Sequence, residues 1–405
     1  MLSIENKQGD ESMKTCALPL TLIFIVTLSA CAVKSNPSAD SPQDKTTPAP
    51  PLLFKESPPR GAEGEFITDF SLHTVSYAEI LSGGPPKDGI PAIDNPKFVS
   101  VQNADEWLKP NEPVVSVQVG DEARAYPIQI LIWHEIVNDI VNGKPLLVTF
   151  CPLCNTAIAF ERTYNGQVFD FGTTGRLRYS NLIMYDRQTE TWWQQATGDA
   201  IAGKFAGSQL AYYPAAMISW RDFRAAYPRG SVLSRETGFS RDYGRNPYFG
   251  YDDINQTPFL YQGDKTPDQL PPMARVLTLE IENEAKAYPY DTLEKLNIVN
   301  DLVGSKPVVI FWTSGTASAL DAGNISDGRD VGAAVAFSRE TGGQTLTFKW
   351  DGAIIRDVET NSAWNLFGAA VDGALKGSQL SALPAINHFW FSWAAFKPET
   401  QIYQP

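Results

Sequence analysis

The chain has 405 residues, 43% hydrophobic, 20% charged and 11% aromatic, and its 33 basic and 46 acidic side chains give a formal net charge of −13. Such proportions exclude a disordered or fibrous chain and allow one large or two smaller domains that bury a core without crosslinks. A surface this acidic repels phosphate backbones, so nucleic acid is excluded as a partner, while 30 Gly, 29 Pro and the aromatics favour turn-rich β structure over a helical bundle.

Residues 1–30 are expected to be an export signal. The uncharged run from Ala17 to Ala30 is shorter than the about 20 apolar residues that span a bilayer. It suits the apolar region of a signal peptide, with Lys14 as the positive flank if translation starts at Met13 rather than Met1. The run ends in Leu28-Ser29-Ala30-Cys31, which resembles a bacterial lipobox. Cys31 is therefore expected to be acylated, making the lipid bilayer a partner through stable multi-chain anchoring. A plain secretory signal with an incidental Cys31 is the alternative. Ala32 after the cysteine points to the outer membrane, facing the periplasm, in a host that has one. Residues 31–63, dense in Pro, Ser, Thr and charge, read as a disordered tether, with folding beginning near Phe66.

The remainder repeats itself. Glu122 to Pro127, Ile136 to Asp139 and Lys144-Pro145 recur in order as Glu284 to Pro289, Ile298 to Asp301 and Lys306-Pro307, 162 positions later (122 to 284). After an insertion in the second copy, Ala157 to Phe160 matches Ala334 to Phe337, Gly207 to Leu210 matches Gly377 to Leu380, and Trp220 to Phe223 matches Trp393 to Phe396. The expected class is α+β, predominantly antiparallel β, in two tandem related units. Their bounds are 113–230 and 274–403, with 64–112 as an N-terminal extension packed on the domain and 231–273 as a connector.

Within a unit, Val114 to Gly120 alternates and returns through a hairpin at Gly120-Asp121, Lys144 to Phe150 reads as a buried strand, and Asn165-Gly166 joins two alternating runs as a hairpin turn. Helix is expected for the segment from Pro127 to Ile140 and for the segment after Pro214. Phe171 to Arg176 is Gly-rich but lacks the lysine of a phosphate loop and reads as a turn, and Tyr185 to Glu190 as an edge turn with Trp192 and Trp193 in the core. Thr237 to Tyr248, followed by Asp252-Asp253, is a polar aromatic loop too specific for a plain linker. His73 and His388 stand alone and read as structural.

The second copy serves as an internal control. Cys16 leaves with the signal, so the exported domain keeps Cys151 and Cys154, in Cys-Pro-Leu-Cys. Copy two has Thr313 and Thr316 in their places, and Leu296 where copy one has His134. The thiols and the imidazole are thus not needed to build the unit. A Cys-x-x-Cys pair can close a disulfide, cycle as a redox couple or bind a metal as thiolates. Its ring is too small to stabilise the fold much by loop entropy. No histidine follows Cys154 for covalent haem, and no second Cys pair completes a structural zinc site. With His134 as a third ligand, copper or zinc would suit, and Glu135 or Asp139 could orient the imidazole; a half-buried structural histidine is the alternative.

Gly83 to Lys97, His134 to Asp139, Phe150 to Cys154, Met184 to Arg187 and Arg241 to Pro247 resemble the signatures of the bacterial and archaeal domain-of-unknown-function family numbered 3179. The resemblance covers about 66–403 and implies an exported or anchored envelope protein, with no reaction implied. Asn155 departs from it, since a small residue such as Gly is expected there. Two readings follow. One is an envelope lipoprotein with a metal-binding or thiol-redox site at Cys151, Cys154 and His134. The other is a non-catalytic ligand-binding or interaction scaffold whose Cys pair is a static disulfide.

Overall fold

Alternating and β-branched runs joined by two-residue turns satisfy their backbone groups most simply by folding back on themselves. The computed structural model describes residues 55–263 and 268–405; the expected signal, Cys31 and the tether up to residue 54 lie outside the described residues. Strands dominate, nearly all antiparallel, with a few short helices, so the class is α+β and rich in β.

In the first half, β1 (Pro113–Val119) and β2 (Glu122–Pro127) pair from Val114↔Pro127 to Val119↔Glu122 about the Gly120-Asp121 turn. Ala215–Ser219 extends this sheet beside β1, and Ser231–Leu233 runs parallel to β2. After α1 (Ile128–His134) come β3 (Ile136–Val141), β4 (Lys144–Cys151) and β5 (Thr156–Glu161), an antiparallel meander. A third sheet holds the β6 (Phe171–Arg178) and β7 (Asn181–Asp186) hairpin, with Trp192 and Trp193 fully buried on the next strand. The Asn165-Gly166 turn has φ of 48° and 75°, as a two-residue hairpin requires.

Several expectations need correction. The helix after Pro127 stops at His134, because β-branched Ile136 and Val137 are drawn into pairing with Thr149 and Val148. After Pro214 a strand comes first, on β1, and helix begins only at Trp220, where Ser219 caps the Asp222 amide. Phe171 to Arg176 is strand with a bulge between Thr173 and Arg176, not a turn. At the bulge Gly175 has φ of 68° and lies so close to the Pro85 carbonyl that a side chain would collide with it. Folding also starts earlier than Phe66: Glu56 accepts from the Ser76 hydroxyl and the Tyr77 amide, and Ala62 is fully buried.

The second half repeats the order and registers. β8 (Arg275–Ile281) and β9 (Glu284–Pro289) pair from Val276↔Pro289 to Ile281↔Glu284. There follow α2 (Tyr290–Leu296), β10 (Ile298–Val303), β11 (Lys306–Thr313) and β12 (Ala333–Ser338), with Ile298↔Phe311 and Thr313↔Ala333. Polar fasteners recur too. Asn138 exchanges two hydrogen bonds with the Phe171 backbone at 2.9 Å each, and Asn300 does the same with Phe348 at 2.7 and 2.8 Å. Asp186 accepts from Thr189 and from the Trp193 indole, as Asp357 does from Thr360 and Trp364. The halves share core: Val114, Ile218 and Phe223 cluster with Val309, Phe311 and Phe337.

Candidate functional site

The Cys-x-x-Cys lies where β4 turns into β5. Pro152 opens a single 3₁₀ turn over Pro152–Cys154, Asn155 ends it in the left-handed conformation at φ 49°, and Thr156 resumes the strand opposite Cys151. Asn is among the residues that tolerate this conformation, which accounts for a non-glycine there. Both thiols are unpaired and buried, 2% and 0% exposed. They are in hydrogen-bond contact with each other, and both donate to the Ser180 carbonyl, at 3.8 Å from Cys151 and 3.5 Å from Cys154.

Ser180 reaches the sulfurs from the tip of the β6–β7 hairpin. Its turn is Tyr179-Ser180, with φ of 51° and 67°, where Asn-Gly would be the comfortable pair. Just beyond it, Asn181 donates to Cys154 Sγ at 3.5 Å and to Gln195 at 2.8 Å. Gln195 in turn donates to Thr149 Oγ1 and the Thr156 carbonyl. His388 bonds the Thr156 hydroxyl through Nδ1 at 2.9 Å; burial pushes its pKa down to about 3, so it is neutral.

Glu135 is the acid of the site. It ends α1 with φ of 58°, a conformation unusual for glutamate, and its carbonyl accepts from the Phe150 amide at 2.8 Å. The side chain is buried, and burial first, then the nearby Cys151, holds its pKa well above the ordinary value. Burial, then contact with Cys154, pushes the Cys151 thiol up as well. Burial therefore favours the neutral form of both the carboxyl and the Cys151 thiol.

A cavity of about 600 Å³ opens beside them, with Glu135, Leu153, Leu182, Tyr248, Tyr251 and Phe259 in its wall. Its roof is the connector, pinned in place by the insertion between β11 and β12. Asn246 and Gly250 donate from their amides to the Gly323 and Asp321 carbonyls at 3.0 and 2.8 Å. The buried Asp252 carboxylate binds Arg275 at 2.6 Å and Arg329 at 2.9 Å, and takes a short hydrogen bond from Ser318. These arginines hold its pKa below the ordinary value against the opposing effect of burial, the largest influence on it.

His134 has both ring nitrogens engaged outside the cysteine pair. Its Nδ1–H donates to the Pro91 carbonyl at 2.7 Å, and its Nε2 accepts from Tyr243 Oη at 2.7 Å, which is itself 2.6 Å from Thr237 Oγ1. Burial lowers its pKa, so it stays neutral and fastens the connector. Asp139 does not orient it: that carboxylate binds Arg124 at 2.5 Å and Tyr126 Oη at 2.6 Å. Among the described residues, no group of three or more His, Cys, Asp or Glu side chains could hold a metal ion.

The signature of DUF3179, described as a protein of unknown function, matches residues 87–400. The chain belongs to this family. No curated protein and no solved structure matches it significantly. The DUF3179 match takes in both cysteines, Glu135, the β6–β7 turn and the connector roof. Within the same span the second half offers a contrast: Asn297, also at φ 58°, stands where the first half has Glu135, and Thr313 where it has Cys151. From the sequence alone Glu135 is expected only to orient an imidazole, and nothing in the sequence marks Ser180, Asn181 or Tyr251. The polar aromatic character of 237–248 was the one signal of a roof.

Proposed function

We propose that this protein is a lipid-anchored envelope protein whose Cys151–Cys154 pair cycles between dithiol and disulfide, with Glu135 as proton carrier. The observation that carries the reading is the buried Glu135 carboxyl on the wall of an apolar-lined cavity, where burial first and the nearby Cys151 second raise its pKa. Closing the disulfide releases two electrons and two protons. In a buried site a bare thiolate is unfavourable, and a carboxyl whose pKa has risen toward that of a thiol exchanges a proton with it across a small free-energy gap. In oxidation the carboxylate takes the proton of the attacking thiol; in reduction the carboxylic acid protonates the departing sulfur. Redox chemistry is preferred to copper or zinc binding because both His134 nitrogens already have partners. Thiol counting on denatured protein tests it. Two exported-domain thiols should disappear after a mild oxidant and return with reductant, and Glu135→Gln should slow both directions at least tenfold. A count that never changes would leave the pair without redox function.

The anchor is part of the proposal. The run ending in Cys31 supports acylation there, and the Pro-rich segment up to residue 54 supplies a tether to the outer membrane surface. Cys31→Ser protein is expected in the soluble fraction; tight membrane association of that variant would refute the anchor. We further propose that 113–230 and 274–403 arose by tandem duplication. The ordered sequence matches, the shared registers and the Asn138/Asn300 and Asp186/Asp357 fasteners support it. An experimental structure in which the two segments fail to superpose strand for strand would end that idea.

A further inference from the structure

We infer that the cavity beside the dithiol receives an uncharged electron acceptor of the quinone class; this rests on the dithiol reading above. Both sulfurs are buried, so the disulfide of a large partner cannot reach them without rearrangement; the cavity wall comes near them through Leu153, which sits between the two cysteines in the chain, and through Glu135, Tyr248 and Tyr251, which interact electrostatically with the pair. Its volume of about 600 Å³ falls within the usual range for small-ligand pockets. Tyr248, Phe249, Tyr251 and Phe259 supply aromatic faces on which a flat ring stacks.

The polar groups narrow the class further. Among the described residues, Glu135 and Arg176 are the only acidic or basic ones in the lining, and neither offers a free charge. Burial disfavours the charge of the first, and the second is paired with Glu65 at 2.9 Å. Charged thiol compounds therefore find no counter-ion. What the wall does offer is hydrogen-bond donors. The buried Arg176 Nε has no hydrogen-bonding partner among the described residues, and neither cause of the raised Glu135 pKa is a hydrogen bond. Unanswered buried donors are costly unless a ligand brings acceptors. A quinone brings two carbonyl oxygens and no donor of its own. Beyond the wall, Phe249 and Phe259 are 74% and 55% exposed, so apolar surface continues outward and can hold an apolar tail.

The electron count closes. Two S–H bonds break and one S–S bond forms, releasing two electrons and two protons; the two carbonyl oxygens take up both and become hydroxyls. Glu135 gives its proton to one carbonyl oxygen and regains one from Cys151.

The test uses the full-length chain in detergent, reduced and free of oxygen, with tetramethylbenzoquinone as probe, since its fully substituted ring forms no thiol adduct. One quinone should be reduced for every two thiols lost, with a rate that saturates in quinone. Ile90→Trp, which fills the cavity, should slow the reaction at least tenfold. Phe259→Ser, at an exposed position, should raise the half-saturating concentration several-fold, a second handle if the tryptophan variant unfolds on a thermal melt. If the thiols close to a disulfide with diamide, a small polar oxidant, but quinone reduction is absent or is unsaturable and equally fast in both variants, the quinone assignment falls and the dithiol reading stands. If diamide closes no disulfide, the dithiol reading itself falls.

Discussion

Glu135 concentrates two kinds of unfavourable environment in one residue, a left-handed backbone and a buried carboxyl. The second half keeps the left-handed backbone but places Asn297 there, a residue that tolerates it, and so avoids the buried carboxyl. Replacing Glu135 by Asn should therefore raise stability by about 1 kcal/mol, the scale of strain for a bulky residue in that conformation, while abolishing proton transfer; urea midpoints and thiol kinetics read the two effects. The pH dependence has a definite sign. A carboxyl raised above its unfolded pKa supports the fold fully below that value, near 4.5, and withdraws its support as pH climbs toward the folded value. The decline of stability above pH 4.5 should be shallower in Glu135→Gln than in the parent. Denaturation series at stepped pH check this, and parallel curves would contradict it. For His134 the sign is opposite: its lowered pKa means stability is present above 6.5 and is lost on acidification. Hydrogen exchange in 237–243 should accelerate first as pH falls below 6.5.

At the scale of single elements, the repeated asparagine fasteners are the testable feature. Asn138→Ala leaves the buried Phe171 amide and carbonyl without partners and should destabilise by about 2–4 kcal/mol. Asn300→Ala should behave alike at Phe348, and a difference in thermal midpoint of only a degree from the parent would show that water replaces the amide. These asparagines also show what can be read in a sequence. The hairpins at Gly120-Asp121 and Asn165-Gly166 were legible because alternation and turn residues are local signals. The Ile-Val-Asn-Asp repeat was visible but was assigned to helix, since its apolar spacing fits either period over so few residues. Only pairing with β4 decides between them. The cysteines were legible by contrast with Thr313 and Thr316. The Ser180 carbonyl was not, because a strained Tyr-Ser turn carries no compositional mark and its target lies on another sheet.

On the scale of the whole molecule, the insertion at 314–332 changes what the second half is for. It holds no cysteine, yet it fastens the roof over the first half's thiols through Asp252, Arg275 and Arg329. Removing one partner of a buried charge cluster is costly, about 3 kcal/mol or more, so Asp252→Ala should lower stability by that amount. Hydrogen exchange should then quicken across 244–259 while β4 stays protected. The consequence is that neither half is a self-sufficient protein. A fragment ending before β8 would present Val114, Ile218 and Phe223 bare and leave its thiols under an unpinned flap. Two separately expressed pieces, cut within 264–267, should instead find each other and restore the closed chamber, as in split-protein complementation. Evolution on such a scaffold is free to change the reactive half only within limits drawn by the half that has no reaction.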